Sequence, residues 1–596
     1  MPGAGFASLG AMDRKRVARV LDEMAVMLEL AGANKFKVRA YENAAHALLG
    51  FSGDLDAAVR SGELRKVPGI GATIFANVES LVLSGRLPVY EELRATFPPG
   101  LRECLRVPRL GARKLKALNE ALRLESLDDL ERACREGQVA EIRGFGPKTA
   151  EHILRGIAMV RATEGLFLYP AAHARGEALV SALRASGLAG EISLAGSLRR
   201  RREIVRDLDI VASSNRPEEV SAAFRSLPEV FEVIGSGPTK TSVRFLDGLC
   251  ADLRVVSPED FPAALLYFTG SREHNTQLRG QARKRGWKLN EYGLFTDGEN
   301  RAPADSEEGI YAALGLAYVE PELREGLGEI DAAADGTLPV LVRDEDVRGL
   351  IHVHTDASDG RDSLEAMALA ARDAGYGYVA FTDHSKSAGY AGGLSEERVR
   401  AQREEIRALR KRLPGFRIFH GTEADILADG SIDYGDEFLG ELDLVVASVH
   451  SRFQLSREEQ TARLVKAVRN PFVSVLGHPT GRLLLSRDGV EADMEAVIDA
   501  AAESGCALEV NGSPHRLDLD WRLVRRAVAR GVPIAIDPDA HSTRELAYTG
   551  YGVGIARKGW AGPADVLNSR GPDELTAWLE ARRGRALPES RDRASG

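Results

Sequence analysis

Cysteine is scarce. The 596 residues hold four, Cys104, Cys134, Cys250 and Cys506, far apart and without a C-x-x-C pair, so a disulfide framework is excluded. That usage fits a reducing, cytoplasmic setting. The sequence also lacks any apolar run near the roughly 20 residues of a membrane span. The start of the chain lacks the charged-then-apolar pattern of a signal peptide. No low-complexity tract or lipidation signal is present, and no membrane partner is expected. What is there suits a globular chain: 44% hydrophobic and 28% charged residues support a sizeable core. At roughly 100–200 residues per domain, three to five domains are expected. The net charge of −9 is unevenly spread: residues 1–300 carry 43 Lys and Arg against 38 Asp and Glu, residues 301–596 carry 36 against 50. The first half suits a polyanion; the second must use clustered acids and histidines to hold cations.

Residues 13–160 read as helices joined by tight turns. "VPGIGATIFANV" (67–78), "VPRLGARKLKAL" (107–118) and "IRGFGPKTAEHIL" (142–154) repeat one pattern: an apolar residue, a short glycine turn, then an amphipathic helix. The pattern resembles the helix-hairpin-helix module. There, backbone N–H groups at a helix N-terminus approach a DNA phosphate. The glycines concerned are Gly69, Gly71, Gly111, Gly144 and Gly146, with Lys148 beside the last. The second copy departs from the pattern, because Arg109 stands where the first turn glycine belongs.

From residue 190 to 260 the runs "EISLAG", "LDIVAS", "TSVRFL" and "CADLRVV" are strand-like, and a mixed α+β domain is expected. Residues 301–345 are acidic, and "DAAADGTLP" reads as a linker. From 346 onward, apolar strands such as "GYVAFTDH", "LDLVVASVH" and "VPIAIDPDAHS" alternate with helical stretches, which indicates an α/β barrel.

Two constellations carry chemistry. In "LAGSLRRRREIVRDLDIVAS" (194–213), Gly196-Ser197 and an arginine cluster precede Asp207 and Asp209. Strand alternation puts both carboxylates on one sheet face. Asp252, in "CADLRVV", lies on another strand of the same character. A lone D-x-D is also what a solvent-facing strand carries. Three acids converging on Mg²⁺ are what nucleotidyl transfer needs. The order resembles the palm of family X DNA polymerases, and "YFTGSREHNTQLR" (267–279) with "LNEYGLF" (289–295) resembles their thumb. The resemblance implies that Asp207, Asp209 and Asp252 hold two Mg²⁺ or Mn²⁺ ions and catalyse. Ser197 and Arg200 would hold the triphosphate beside Gly196 and Gly270. Tyr267 and Phe268 would stack near the sugar, Asn275 would touch the base edge, Arg279 would reach the template, and Arg254 the primer end. Arg206 stands where the family usually has glycine before the D-x-D. "NKFKVRAYENAA" (34–45) resembles the family's 8-kDa domain, with Lys35, Arg39 and Tyr41 as candidate 5′-phosphate contacts. Thr73 and Asn77 stand where lyase lysines would serve, so no lyase activity of that type is expected.

The second constellation gathers His352, His354, Asp359, His384, Glu423, His450, His478, Asp539 and His541 at the ends of barrel strands; six of the twelve histidines are among them. In such a barrel the strand ends meet at one mouth. Imidazole with carboxylate suits Zn²⁺, Mn²⁺ or Fe. The order resembles the PHP (polymerase and histidinol phosphatase) domain, which implies three Zn²⁺ or Mn²⁺ ions. His352, His354, Glu423 and Asp539 would hold one. Glu423, His450 and His478 would hold the second, and Asp359, His384 and His541 the third. Leu350 stands where the family often has an Asp, without loss of a ligand.

The resemblance covers nearly the whole chain and implies a multidomain protein. Residues 1–90 would be an 8-kDa-like all-α helix-hairpin-helix domain and 91–160 a helical fingers-like part. Residues 161–260 would be an α+β palm, 261–320 a thumb, 321–345 a linker and 346–590 a TIM-like PHP barrel. It implies a DNA polymerase filling short gaps in repair, with a 3′→5′ exonuclease, acting as a monomer on gapped or primed DNA and dNTPs. Two rivals stand beside it: a DNA-binding nuclease with a non-catalytic palm, and a barrel that hydrolyses a small phosphate monoester.

Overall fold

The computed structural model describes residues 14–51, 54–108, 110–296 and 300–586. Arg109 lies outside the described residues. The chain forms two compact units, one up to Glu164 and one from Gly165.

The first unit is helical. Its main helices are α1 (Arg14–Leu30), α2 (Lys35–Gly50), α3 (Ala72–Ser84), α4 (Ala112–Leu122) and α5 (Pro147–Ala162). The Asn34 side chain accepts the Phe36 N–H at 2.9 Å and starts α2. One core runs from Val17 to Leu87, and a second joins Leu30 to residues from Leu101 to Val160. Gly71, Gly111 and Gly146 are the N-caps of α3, α4 and α5. A Cβ at any of them would have nothing within 4 Å, so a ligand backbone has room to approach. Gly69 and Gly144 sit at φ 92° and 91°, where a side chain is strained.

The second unit begins with α6 (Tyr169–Ala185) and a five-stranded sheet. Its strands are β1 (Ile192–Leu194), β2 (Asp207–Ser213), β3 (Val230–Ser236), β4 (Lys240–Phe245) and β5 (Cys250–Val256), in spatial order β1-β2-β5-β4-β3. Four of these are the runs expected from sequence. The fifth, β3, escaped because it is an exposed edge: Phe231 is 66% and Ile234 48% exposed, so alternation is absent. Leu208 and Ile210 of β2 pack with Leu179 and Leu183 of α6. The opposite face holds Val211 against Ala264 and Leu265 of α8 (Phe261–Thr269), and between β1 and β2 a short helix, α7, spans Gly196–Arg199 where a turn was expected.

The segment expected to be a linker is structured. After α9 (Arg272–Lys284), residues Glu329–Asp335 form α10. Ile330, Ala333 and Leu341 join Leu278, Leu294 and Tyr311 in one core. The Glu329 carboxylate is buried, 2.7 Å from His274 Nδ1, and accepts the N–H groups of Gly326 and Leu327 at 2.8 and 2.7 Å. Acidic residues and glycine suggested solvent, but tertiary pairing overrides composition here.

The barrel has seven parallel strands rather than the eight of a TIM barrel. They are β6 (Gly349–Val353), β7 (Tyr378–Phe381), β8 (Arg417–Asp425), β9 (Leu444–Ser448), β10 (Val475–Leu476), β11 (Ala507–Asn511) and β12 (Ile534–Asp537), paired in chain order. A bridge between Val353 and Ala540 brings the two ends together. The last long barrel helix before the C-terminal one, α11 (Thr549–Lys558), meets the palm: Tyr551 packs on the palm core and Arg201 Nη1 lies 3.4 Å from Gly550 O. Lys558 is fully buried; its Nζ donates to the Glu325 carboxylate, to Arg200 O at 2.9 Å and to Glu322 O at 3.2 Å. Arg557 Nε lies 2.8 Å from Glu322 Oε1. A buried ionic joint thus ties the barrel to Glu322 and Glu325, and through Arg200 to the palm. Among the described residues no helix is long and apolar enough to cross a membrane.

Candidate functional site

The palm acids converge. β2 and β5 run parallel with Asp209 opposite Asp252, and Asp207 two residues before Asp209 shares their face. Burial and the neighbouring Asp207 and Asp252 push the Asp209 carboxyl up to about 6, and burial with Asp252 raises Asp207. Lys240 Nζ, 2.6 Å from Asp252 Oδ2, is the close counter-charge. Such mutually repelling acids fit divalent cations. Gly196, at φ 61°, has to be glycine: a Cβ there would meet Asp209 Oδ2 at 2.1 Å.

The residues expected around a nucleotide also gather. Tyr267 and Phe268 sit edge to face at 5.2 Å, with the Arg254 guanidinium 4.6 Å over Phe268. Asn275 Nδ2 donates to Tyr267 O at 2.7 Å, and Asn275, Arg279, Tyr267 and Asn290 line a small cleft. Gly270, at φ 71°, lies against Arg200 Nη1. Ser197 is half-buried in α7. Arg200 is not free: it bonds Thr269 O, and its Nε lies 3.1 Å from Glu325 Oε1.

In the first unit, Lys35 and Arg39 are exposed on α2 and Lys148 lies in the first turn of α5. Phe36, 81% exposed beside Lys35, was not singled out from sequence. Tyr41 is a correction. It is 3% exposed, and its hydroxyl accepts Asn77 Nδ2 at 2.8 Å, so it belongs to the core and does not face a 5′-phosphate.

In the barrel, all nine expected residues meet at the C-terminal ends of the strands. His352 lies in β6 and Glu423 in β8; the others follow their strands by a few residues. His352 Nε2 lies 3.5 Å from Glu423 and 3.6 Å from Asp539, and His354 Nε2 3.7 and 3.3 Å from the same carboxylates. His450 Nε2 and His478 Nε2 lie 3.3 and 2.9 Å from Glu423 Oε1. His384 and His541 lie 3.5 and 3.3 Å from Asp359. Glu423 is thus shared by several imidazoles. His478 and Asp539 sit at φ 27° and 52°, a backbone strain of roughly 1–3 kcal/mol each that aims them inward.

Sequence reasoning missed the residues that brace the candidate ligands. Glu509, fully buried in β11, lies 2.6 Å from His352 Nδ1, and Asp425 lies 2.7 Å from His450 Nδ1. A carboxylate inside the apolar run "CALEVNG" was the available signal, because a buried acid has to be paired. Arg516 Nε, 3.5 Å from Asp539, was also missed.

The electrostatics fit cations. Burial alone would lower the histidines, but Glu423 and Asp359 outweigh it and raise His384 to about 10; Glu423 and Asp425 raise His450 to about 9; Asp359 and Asp539 raise His541 to about 9. Burial and the neighbouring His541 and His384 push His354 down to about 3. Among the described residues, His352 Nε2, both ring nitrogens of His354 and Glu423 Oε2 are buried without a hydrogen-bond partner. Imidazole and carboxylate donors left open in this way suit Zn²⁺ or Mn²⁺.

Comparison with known proteins agrees with this division. Residues 12–87 match a helix-hairpin-helix domain and 101–158 a SAM-like helix-hairpin-helix tandem. Residues 264–325 match the DNA polymerase beta thumb, and 351–513 the PHP domain. The chain is 36% identical over 573 residues to the DNA polymerase/3′-5′ exonuclease PolX of Bacillus subtilis, covering 96% of this chain and all of that protein. The chain is also similar to a probable phosphatase of Shewanella oneidensis, 26% identical over 257 residues, 41% of this chain and 97% of that protein. A probable phosphatase of Caldanaerobacter subterraneus is 31% identical over 146 residues, 23% of this chain and 55% of that protein. With a full-length relative of this kind, a family X thumb and a PHP domain in one sequence, the chain belongs to the PolX family of DNA polymerases.

Proposed function

We propose that the chain is a DNA-directed DNA polymerase that fills short gaps in base-excision repair, and that its PHP barrel is a metal-dependent 3′→5′ exonuclease. The observation that carries this is that both constellations are complete in one chain: three acids on adjacent strands, and nine His and acidic residues at one barrel mouth. The full-length relative bears both activities in its name. The substrates are gapped or primed DNA and dNTPs, met by a monomer in the cytoplasm. Residues 1–90 and 91–160 serve as the two helix-hairpin-helix parts, 161–260 as palm, 261–320 as thumb, 321–345 as a folded connection and 346–590 as barrel.

Asp207, Asp209 and Asp252 would hold two Mg²⁺ or Mn²⁺ ions. The nine barrel residues would hold three Zn²⁺ or Mn²⁺ ions, in the sets expected from sequence. When bound, such ions polarise phosphate oxygens and supply a nucleophilic water near neutral pH. The protein does the positioning. Ser197 and Arg200 receive the triphosphate, for which Arg200 exchanges Glu325 for phosphate. Tyr267 and Phe268 meet the sugar, Asn275 the base edge, Arg279 the template and Arg254 the primer end. The primer 3′-oxygen attacks the α-phosphorus, the bond to pyrophosphate breaks, and a palm carboxylate accepts the hydroxyl proton. At the barrel mouth, water attacks the last phosphodiester and the bond to the preceding 3′-oxygen breaks, releasing a nucleoside monophosphate. The glycine turns at Gly69–Gly71, Gly111 and Gly144–Gly146, with Lys35 and Lys148, bind DNA phosphates, so affinity falls steeply with salt.

The probable phosphatases similar to the chain favour a second reading, hydrolysis of a phosphate monoester. A one-nucleotide gapped duplex, a 3′-recessed oligonucleotide and a phosphate monoester, each assayed with Mn²⁺, separate the two. Gap filling and 3′ shortening are expected. Monoester hydrolysis without shortening would replace the exonuclease half.

A further inference from the structure

The loop after β7 carries one residue that the chemistry above does not use. Tyr390 is 73% exposed, yet its ring centroid lies 6.3 Å from His384 and 6.4 Å from His450. Both imidazoles gather with Glu423 in one group of possible metal ligands. The loop is pinned: Leu394 N–H bonds His384 O at 2.8 Å, Gly393 N–H bonds Ala388 O at 3.1 Å, and Arg398 reaches Gly392 O at 3.0 Å. Gly392 also abuts Ser358, the neighbour of Asp359. Tyr390 is therefore presented by a fixed loop. The inner ligands are closed off, His352 and His354 at 0% and Glu423 at 1% exposure, whereas the Asp359 and His541 side chains are 34% and 29% exposed. The mouth opens on their side, next to Tyr390.

An aromatic ring held in water one residue's breadth from a phosphodiester site suits a nucleobase, because every base offers a π-face. The geometry points to Tyr390 as the stacking platform for the 3′-terminal base of a DNA strand whose last phosphodiester sits at the cluster. It is a specificity residue: it favours a phosphate that carries a nucleoside over a small phosphoester that carries none. The inference rests on the exonuclease reading of the barrel.

The test uses full-length wild type, Tyr390→Ala and Tyr390→Phe with Mn²⁺. Two 5′-labelled single strands differ only at the last nucleotide, one with a base and one abasic. In Tyr390→Ala the ratio of kcat/KM for the base-bearing end to that for the abasic end falls about ten-fold. Tyr390→Phe keeps the wild-type ratio. An unchanged ratio in Tyr390→Ala overturns the proposal, including the case in which both ends slow equally. A wild type that shortens neither strand sinks the exonuclease reading itself, and the stacking role with it.

Discussion

The palm and the barrel both gather acids for cations, in opposite ways. In the palm, Asp207 is exposed and Asp209 and Asp252 are half-buried, with Lys240 against one of them. Arriving cations would relieve their repulsion. In the barrel, Glu423 is 1% exposed among imidazoles, and Glu509 and Asp425 brace His352 and His450 from behind. An open, self-repelling site suits ions that come and go with a nucleotide. A buried, braced site suits ions that stay. The contrast teaches that similar donors can serve a transient or a resident metal, and that burial and bracing decide which.

The contrast is broken most strongly by removing the braces. Glu509→Gln should lower barrel metal affinity by about 10–100-fold. Metal titration by calorimetry would show the loss, with gap filling intact. Unchanged affinity would mean that the ligands need no support. A smaller effect is expected at the joint between the regions. Lys558→Met removes the buried ammonium from Glu325, which keeps Arg200 and Arg202, and should cost about 1.5 kcal/mol in stability. Denaturant unfolding measures it, and a change under 1 kcal/mol would contradict the assigned burial of the pair.

The smallest effect sharpens the comparison through pH. Without metal, His384, His450 and His541 titrate at about 10, 9 and 9, above roughly 6.5 in the unfolded chain. Their stabilisation is complete below about pH 6.5 and is lost as pH rises through 9 to 10. Metal requires neutral imidazole, so its stabilisation grows with pH. The Tm gap between Mn²⁺-loaded and chelator-treated protein should widen between pH 6.5 and 9, by about 2 °C or more. A gap that narrows would reverse the assigned sign.

How much could be read in advance differed between these regions for physical reasons. Asp207-x-Asp209 and His352-x-His354 share a face by strand alternation, so the sequence alone places them together. The strand-end histidines declare themselves because imidazole is rare in this chain. Glu509 and Asp425 stayed hidden because their roles depend on partners 157 and 25 residues away. Glu329 misled for the same reason: its acid, taken for a solvated linker, is satisfied by His274 and two backbone amides. Tyr41 looked available and is packed, while Tyr390, not singled out from sequence, is exposed beside the histidine cluster. Periodicity tells which face a side chain takes, not what waits across from it.

The central claim is that polymerisation and 3′ shortening belong to two separate sites. A 5′-labelled primer on a one-nucleotide gapped duplex tests it, with Mn²⁺, with and without dNTPs, for wild type, Asp207→Ala and His352→Ala. Extension should vanish in Asp207→Ala alone, and shortening in His352→Ala alone. Shortening that survives in His352→Ala would show that the barrel is not the nuclease.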